Sequence, residues 1–382
     1  MKLQLGVLFG GATVEHEISI LSAIQAMNHL DRTRYDIIPI YIGKDHQLYH
    51  SQILSDLKSF RDLDKLCAKL SPTALYKKGN KVVLKSTSLF QKEISIDLIL
   101  PIMHGTYGED GTLQGYLRML GIPFCACELG GAVLGQDKEL MKQILAVKKQ
   151  PIVEWFSLEK NQFTDSELSS RCEEIGWPVI IKPATLGSSI GIHIAKNTDE
   201  LQEALDDAFQ YDTHVVIEHA LSEMREFNCA VFGDEESART SCIEEVLKGD
   251  EILSYKDKYE GNGKSKGIVS TKRLIPAELS EALQSEIEAL ALKTFHALRG
   301  FGIARIDFLM DTTSGKVYIN EINTIPGSLS FYLFEPKGIA FSQLLDEYIQ
   351  LTLKRQRKQS QMIFSYATNV LSQFSSGSKL IK

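Results

Sequence analysis

The first forty or so residues confine the chain to a small set of folds. Leu3–Phe9 is an apolar run without alternation, the pattern of a strand buried on both faces, and it ends at Gly10-Gly11. From about Glu17 the apolar residues Ile18, Leu21, Ile24 and Met27 recur at helical spacing, and Tyr35–Ile42 is a second apolar strand. Strand, helix, strand in this order is a βαβ unit, whose parallel crossover is right-handed. The chain therefore opens with an α/β domain, and its loops after the strands are the natural place for a small ligand.

Residues 43–95 are charged and poorly periodic and read as a variable insertion. Asp97–Met103 resumes the strand pattern, followed by the loop His104-Gly-Thr-Tyr-Gly-Glu-Asp-Gly111 and a helix over Thr112–Leu120. A length of 382 residues fits two or three domains. Punctuation and periodicity divide them as 1–124, 125–212 and 213–353, with a tail at 354–382. The second unit holds a helix beginning near Asp137, strands Val179–Ile181 and Ile192–Ala195, and a helix Asp199–Phe209. The third holds strand Val215–Glu218, strands Glu226–Phe232 and Cys242–Leu247, and a long helix Leu279–Leu298. The tail opens with Lys-Arg-Gln-Arg-Lys. Ile363, Tyr366, Val370 and Phe374 then follow at helical spacing, which predicts an amphipathic packing or dimer-contact helix. A homodimer is expected.

The most informative chemistry lies in Ala304-Arg-Ile-Asp-Phe308 and Val317-Tyr-Ile-Asn-Glu-Ile-Asn323, two strands joined through Ser314-Gly315. A hairpin centred on residue 314 sets Asp307 opposite Glu321 and Arg305 opposite Asn323 on one face. Two opposed carboxylates repel unless a cation joins them. With the carbonyl of Asn323 they form the hard oxygen set that holds Mg²⁺ beside nucleotide phosphates. A solvated charged face has the same pattern, and these residues alone leave both readings open. Pro178-Val-Ile-Ile-Lys-Pro-Ala-Thr-Leu-Gly-Ser-Ser-Ile-Gly191 places Lys182 at the end of an apolar strand, ahead of a Gly/Ser loop whose backbone can approach phosphates. A plain Gly-rich hairpin would look alike. Gly263-Lys264-Ser265 is not a Walker A loop, because Lys258 stands five positions earlier and no strand leads in. No Gly-x-Gly-x-x-Gly fingerprint follows the first strand either. The Gly10–Ser19 turn brings Glu15 and backbone N–H groups to the mouth of the first domain, where His104 ends another strand.

With 42 basic and 49 acidic side chains the net charge is −7, so no bulk field gathers nucleic acid or anionic lipid. An anionic substrate needs a local basic pocket. Six scattered cysteines, of which the pair Cys125-Ala-Cys127 lacks a second pair or a nearby His, read as reduced thiols rather than as a zinc site. The N-terminal apolar run meets Glu15 and Glu17 with no small-residue cleavage site, and no apolar run approaches the ~18–20 residues of a membrane span. A cytoplasmic protein is expected.

Taken together, the motifs resemble the D-alanine–D-alanine ligases of the ATP-grasp superfamily. Eight segments match in order: GG…EHEIS, HGTYGEDGTLQG, QDKELMK, PVIIKPATLGSSIGI, IEHALSEMREF, SYKDKY, ARIDF and INEINTIPG. The resemblance implies an ATP-grasp architecture of three domains, an N-terminal open α/β substrate domain, a central domain and a C-terminal domain, with ATP held between the latter two. It implies that Lys138 and Lys182 hold ATP phosphates together with the loop at Ser189, that Glu218 meets the adenine amino group, and that Glu226 meets the ribose. It assigns Mg²⁺ or Mn²⁺ to Asp307, Glu321 and Asn323. Glu15 would bind the first D-alanine's ammonium, linked to Ser188 and Tyr259, with His104 nearby. Arg305 and the N–H of Gly327 would stabilise the oxyanion, and Lys258-Tyr259 would lie on a closing loop. The implied reaction activates one D-alanine as an acyl phosphate and joins it to a second, giving a dipeptide for peptidoglycan. After Gly327 the chain departs from the family's usual Thr- and Ser-rich run. Tyr332 stands where a serine commonly holds the second substrate's carboxylate, so Tyr332 or Ser330 takes that role. D-serine or D-lactate as second substrate, and a catalytically silent ATP-grasp binding protein, are the alternatives.

Overall fold

A computed structural model describes residues 2–88, 92–160, 162–247 and 272–369. The first unit is built on β1 (Leu3–Gly10), α1 (His16–His29) and β2 (Tyr35–Ile42). It continues through β3 (Leu48–His50), α2 (Leu63–Lys69), β4 (Pro72–Lys78), β5 (Lys81–Ser86), β6 (Ile94–Ile96), β7 (Leu98–Ile102) and α3 (Thr112–Leu120). The strands form one seven-stranded sheet in the order β6-β5-β4-β3-β2-β1-β7. β1 pairs in parallel with β2 and β7, as its unbroken apolar sequence requires, and Leu5, Val7, Leu8 and Phe9 are fully buried.

Two expectations change here. Residues 43–95 are not an appended insertion, because β3 to β6 extend the same sheet antiparallel from β2. Their lysines (Lys77, Lys78, Lys81, Lys85) lie toward its outer edge, where charge keeps strands from pairing with other chains. The buried stripe of α1 is also shifted. It is Ile20, Ala23, Ile24 and Met27, whereas Leu21 is exposed. Small Ser19, Ser22, Ala23 and Ala26 bring the helix close to its neighbours and turn that face inward.

Next come α4 (Leu129–Gln136) and α5 (Lys138–Val147), capped by the Asp137 carboxylate accepting from Leu140 N–H. β8 (Trp155–Glu159), α6 (Asp165–Ile175), β9 (Val179–Pro183), β10 (His193–Ala195), α7 (Thr198–Ala208) and β11 (His214–His219) follow. The sheet order β10-β9-β11-β8 puts β11 in the interior of this second sheet. The expected boundary at residue 212 therefore falls on the turn between α7 and β11, inside the unit. The helix pair is displaced the other way, since Met141 and Leu145 of α5 pack with the third sheet.

That sheet comprises β12 (Met224–Gly233), β13 (Ala238–Leu247), β14 (Lys272–Leu274), β15 (Gly302–Asp311) and β16 (Val317–Asn323), ordered β14-β13-β12-β15-β16. α8 (Glu281–Ala297) covers its apolar face, where Phe227, Cys229, Ile243, Ile306 and Phe308 meet Ile287, Leu290 and Phe295. The last helix among the described residues, α9 (Phe341–Gln359), buries Leu344, Leu345, Tyr348 and Ile349 in the same core as β1, α1 and Phe301.

α9 passes through the expected boundary at 353 without a break. Lys354 pairs with Asp234 and Glu236, Lys358 pairs with Glu235 and Glu236, and the Arg355 guanidinium lies 3.6 Å over the Phe301 ring. The basic run is therefore the closing turns of a core helix. From Ile363 to Asn369 no helix forms, which corrects the expected amphipathic tail; Val370 and Phe374 lie outside the described residues. All six cysteines are free thiols, and burial pushes Cys125 and Cys229 up to about 12. Among the described residues no helix is long and apolar enough to cross a membrane.

Candidate active site

The floor of the site is the polar face of the third sheet. Directly paired residues share a face, and the register aligns Glu244, Asn228, Asp307 and Glu321 in one row across β13, β12, β15 and β16. The next row holds Ala230, Arg305 and Asn323. Both pairings expected from a hairpin centred on residue 314 are present. Beyond them a bulge between Asp307 and Phe308 shifts the register by one, and Asn320 is the extra residue on β16.

Arg305 supplies a cation to Asp307, one of the two opposed carboxylates. Its Nε and Nη2 donate to the two oxygens of Asp307, each at 2.6 Å, and Asn323 Nδ2 donates to Asp307 Oδ2 at 3.2 Å. Burial pushes Asp307 up to about 6, with Glu321 and Glu226 adding to the rise against the downward pull of Arg305. Glu226, Glu244, Asp307 and Glu321 make this floor anionic.

Opposite stands a wall of lysines. Lys182, on β9, donates to Glu218 Oε2 and to Asn320 Oδ1, both at 3.1 Å, so the bulged residue ties wall to floor. Lys138, at the start of α5, donates to the Leu186 carbonyl at 2.6 Å. Lys142, one turn on, is fully buried with Nζ 3.2 Å from Glu218 Oε1. Burial alone would raise Glu218, but Lys142 and Lys182 hold it down at about 2. The Glu218 carboxylate, expected beside adenine, is engaged by these two lysines.

The third side is the mouth of the first unit. Ser188 donates to Glu15 Oε1 at 2.5 Å, as expected; Tyr259 and Lys258 lie outside the described residues. Ser188 and Ser189 are both left-handed, at φ 57° and 58°, strained backbone of the kind held at functional loops. Glu15 is also pressed against Gly105, where an added Cβ would lie 2.2 Å from Oε2 and φ is +70°. Only glycine fits there.

His104 is buried, and burial lowers its pKa. Nδ1 donates to the Ile325 carbonyl at 2.7 Å, so Nε2 accepts from the Ser22 hydroxyl at 3.1 Å, which in turn accepts from Ser328 N–H at 3.0 Å. The ring thus fastens the segment after β16 to α1. Glu109 makes a second fastening. Its carboxylate accepts from Gly105 N–H at 3.0 Å, Ile325 N–H at 2.7 Å and the Thr324 hydroxyl at 3.4 Å. Burial, with Glu15 nearby, pushes it up to about 7.

A folded-state pKa above the ordinary 4.5 means stability that is full below about pH 4.5 and lost as pH rises through about 7. Glu109→Gln turns an N–H₂ toward donors and costs about 1–3 kcal/mol. Urea unfolding from pH 4.5 to 8 should show a lower midpoint and a flatter pH dependence than the parent protein.

No heavy atom stands within 4 Å of where a Cβ on Gly327 would lie. Ser328, Leu329 and Ser330 follow with φ of 50°, 51° and 47°. This left-handed run leaves Ser330 fully buried, its hydroxyl without a hydrogen-bond partner. Tyr332 is half-buried, and its hydroxyl donates to Glu244 Oε2 at 3.2 Å while Arg273 donates to it at 3.4 Å.

Lys142, Asn320, Glu109, Asn228, Glu244 and Arg273 escaped the sequence reading. Lys142 had one usable signal, its i+4 spacing from Lys138 on the same helix face. Among the described residues no three His, Cys, Asp or Glu side chains form a metal cage. The donor set is two carboxylates and an amide, which suits a hard ion that keeps waters and takes phosphate oxygens as well.

A family model described as D-ala D-ala ligase N-terminus matches residues 4–127, and one described as D-ala D-ala ligase C-terminus matches residues 144–350. A D-alanine–D-alanine ligase of Thermosipho africanus is 38% identical over 369 residues, covering 96% of this chain and 98% of that protein. The solved D-alanine–D-alanine ligase of Coxiella burnetii matches with a TM-score of 0.80 at 28% identity, over 94% of this chain and 96% of that one. That of Bacillus anthracis, complexed with ATP, matches with a TM-score of 0.67 at 26% identity, over 94% and 99%.

Proposed function

The chain belongs to the D-alanine–D-alanine ligase family, and from that premise we propose that it joins two D-alanines at the expense of ATP, releasing ADP and phosphate. The dipeptide serves peptidoglycan synthesis. The observation that carries the reading is the pairing of a lysine wall (Lys138, Lys142, Lys182) with an acidic floor (Glu226, Glu244, Asp307, Glu321). A polyphosphate with divalent cations complements both surfaces at once, and neither surface suits a neutral ligand.

In this reading Glu15 receives the ammonium of the first D-alanine, held in place by Ser188 and the close approach of Gly105. The carboxylate of that D-alanine attacks the γ-phosphate, ADP leaves, and an acyl phosphate forms. The amine of the second D-alanine then attacks the acyl carbon, and the tetrahedral intermediate expels phosphate. Arg305 and the Gly327 N–H are the fixed donors for the oxyanion. Lys138 and Lys182 take the phosphates with the Ser189 loop, Glu226 takes the ribose, and Glu218 lies at the adenine end. Asp307, Glu321 and Asn323 would hold Mg²⁺ or Mn²⁺, whose charge neutralises the transferred phosphoryl group when bound. Asn323 spends its amide nitrogen on Asp307, so its carbonyl oxygen is the donor end for that ion. Tyr332, rather than Ser330, is the hydroxyl for the second substrate's carboxylate. The enzyme works in the cytoplasm, where ATP is at hand. The exposed run Met362, Ile363, Phe364 and Tyr366 supports a homodimer contact.

The test is stoichiometry. With ATP, Mg²⁺ and D-alanine, equimolar ADP, phosphate and dipeptide should appear, and absence of ADP with every D-amino acid tried overturns the reading. Mass spectrometry of a mixed incubation with D-alanine, D-serine and D-lactate should return D-alanyl-D-alanine as the main product. A mixed product would reassign the second subsite.

A further inference from the structure

We infer that Lys142 is a positioning residue for nucleotide binding: as the permanent counter-ion of Glu218, it frees Lys182 to leave that carboxylate for a phosphate. The inference rests on the ligase reading of the cleft and adds a residue to it.

Glu218 is pinned in the middle of its sheet, between Ile180 on one neighbouring strand and Trp155 on the other, and is 1% exposed. One carboxylate there meets two ammonium groups, but the two are not equivalent. The Lys142 side chain is 0% exposed and points inward from α5, with no hydrogen-bond partner of good geometry and the ion pair to Glu218 Oε1 as its contact. It has nowhere else to go. The Lys182 side chain is 8% exposed and divides its donors between Glu218 Oε2 and Asn320 Oδ1.

A buried carboxylate stripped of its last cation is costly, far more so than one that loses the second of two. With Lys142 in place, Lys182 can exchange Glu218 for a phosphate and leave a neutral pair behind. Without Lys142, each nucleotide that recruits Lys182 strands Glu218.

Lys142→Met keeps the length and apolar volume and removes only the charge. Titration with adenylyl imidodiphosphate and Mg²⁺ by calorimetry should show binding weakened on the order of 10–100-fold. The KM for D-alanine should stay within about threefold. Lys142→Arg, which keeps a cation, should bind the analogue more tightly than Lys142→Met. The decisive comparison adds Glu218→Gln. Because the proposed action runs through that carboxylate, Lys142→Met on a Glu218→Gln background should change analogue affinity by less than about threefold. Lower thermal stability with unchanged analogue affinity overturns the inference. So does a tenfold effect that persists in the Glu218→Gln background. Should Lys142→Met alone fail to fold, the double variant strands no charge and is read against Glu218→Gln by the same criterion. Failure of the parent protein to bind the analogue at all would instead remove the ATP reading itself.

Discussion

Replacing Arg305 with alanine should lower kcat by roughly 10²–10³ while ATP still binds, the scale of losing one fixed oxyanion donor. The structure makes the expectation sharper than the sequence allowed. Arg305 is held by two 2.6 Å bonds to Asp307, so the donor is aimed before substrate arrives and no reorganisation is needed at the moment of reaction. Its removal also leaves Asp307, which lies opposite Glu321, without its guanidinium partner. That loss raises the demand for a divalent cation and does not abolish it. The KM for ATP at saturating Mg²⁺ should therefore shift by less than about fivefold while kcat collapses. Lys at this position restores charge but not the planar fork, and should recover only part of the activity. Near-normal turnover of Arg305→Ala would take the residue out of its role. An equal loss in kcat and in ATP affinity would mean that it acts on nucleotide instead.

Asp307→Asn should behave differently at the neighbouring position. It removes one anionic oxygen from the metal set and the partner that orients Arg305. Turnover should fall by about 10² or more, on the scale of several kcal/mol of lost charge stabilisation. The Mg²⁺ concentration for half-maximal rate should rise at least about tenfold, on the scale at which metal sites respond to lost partners. Chelation of divalent ions should silence the parent enzyme, and added Mg²⁺ should restore it. Because Asp307 is pushed up to about 6, Mg²⁺ affinity of the parent should weaken as pH falls through that value, when the carboxylate protonates. The asparagine variant should lack that pH dependence. An unchanged Mg²⁺ requirement in Asp307→Asn would remove the residue from the metal set.

The hairpin shows what could be read before the structure. Alternation along two strands and one turn placed Arg305 opposite Asn323 and Asp307 opposite Glu321, because register near a short turn is a local matter. The bulge at Asn320 was invisible, since an extra residue in a strand has no compositional mark, yet it points this side chain at Lys182. Lys142 was missed for a different reason: a lysine on an amphipathic helix ordinarily faces water, and only the tertiary position of Glu218 makes burial affordable. The same limit applies to β11. Its sequence announces a strand, and only the pairing with β9 and β8 decides which sheet it joins. The site of Glu15 and Ser188 was legible as two loops. Their meeting, 173 positions apart, came from the resemblance and not from either loop.

The hydrophobic core that joins β1 and α1 to Phe301, Leu329, Phe334 and α9 has a consequence for synthesis. Ribosomes deliver the chain from its N-terminus, and domains generally fold as they emerge. Here α1 and the first domain's share of this core lack their α9 partner until Phe341–Gln359 is out, so that apolar surface stays uncovered for most of translation. Closing contacts between the two ends of a chain this long is slow, because loop closure precedes any gain from burial. A chain cut short anywhere before α9 loses more than an end: it leaves the first domain half-covered, with an aggregation-prone surface in place of a core.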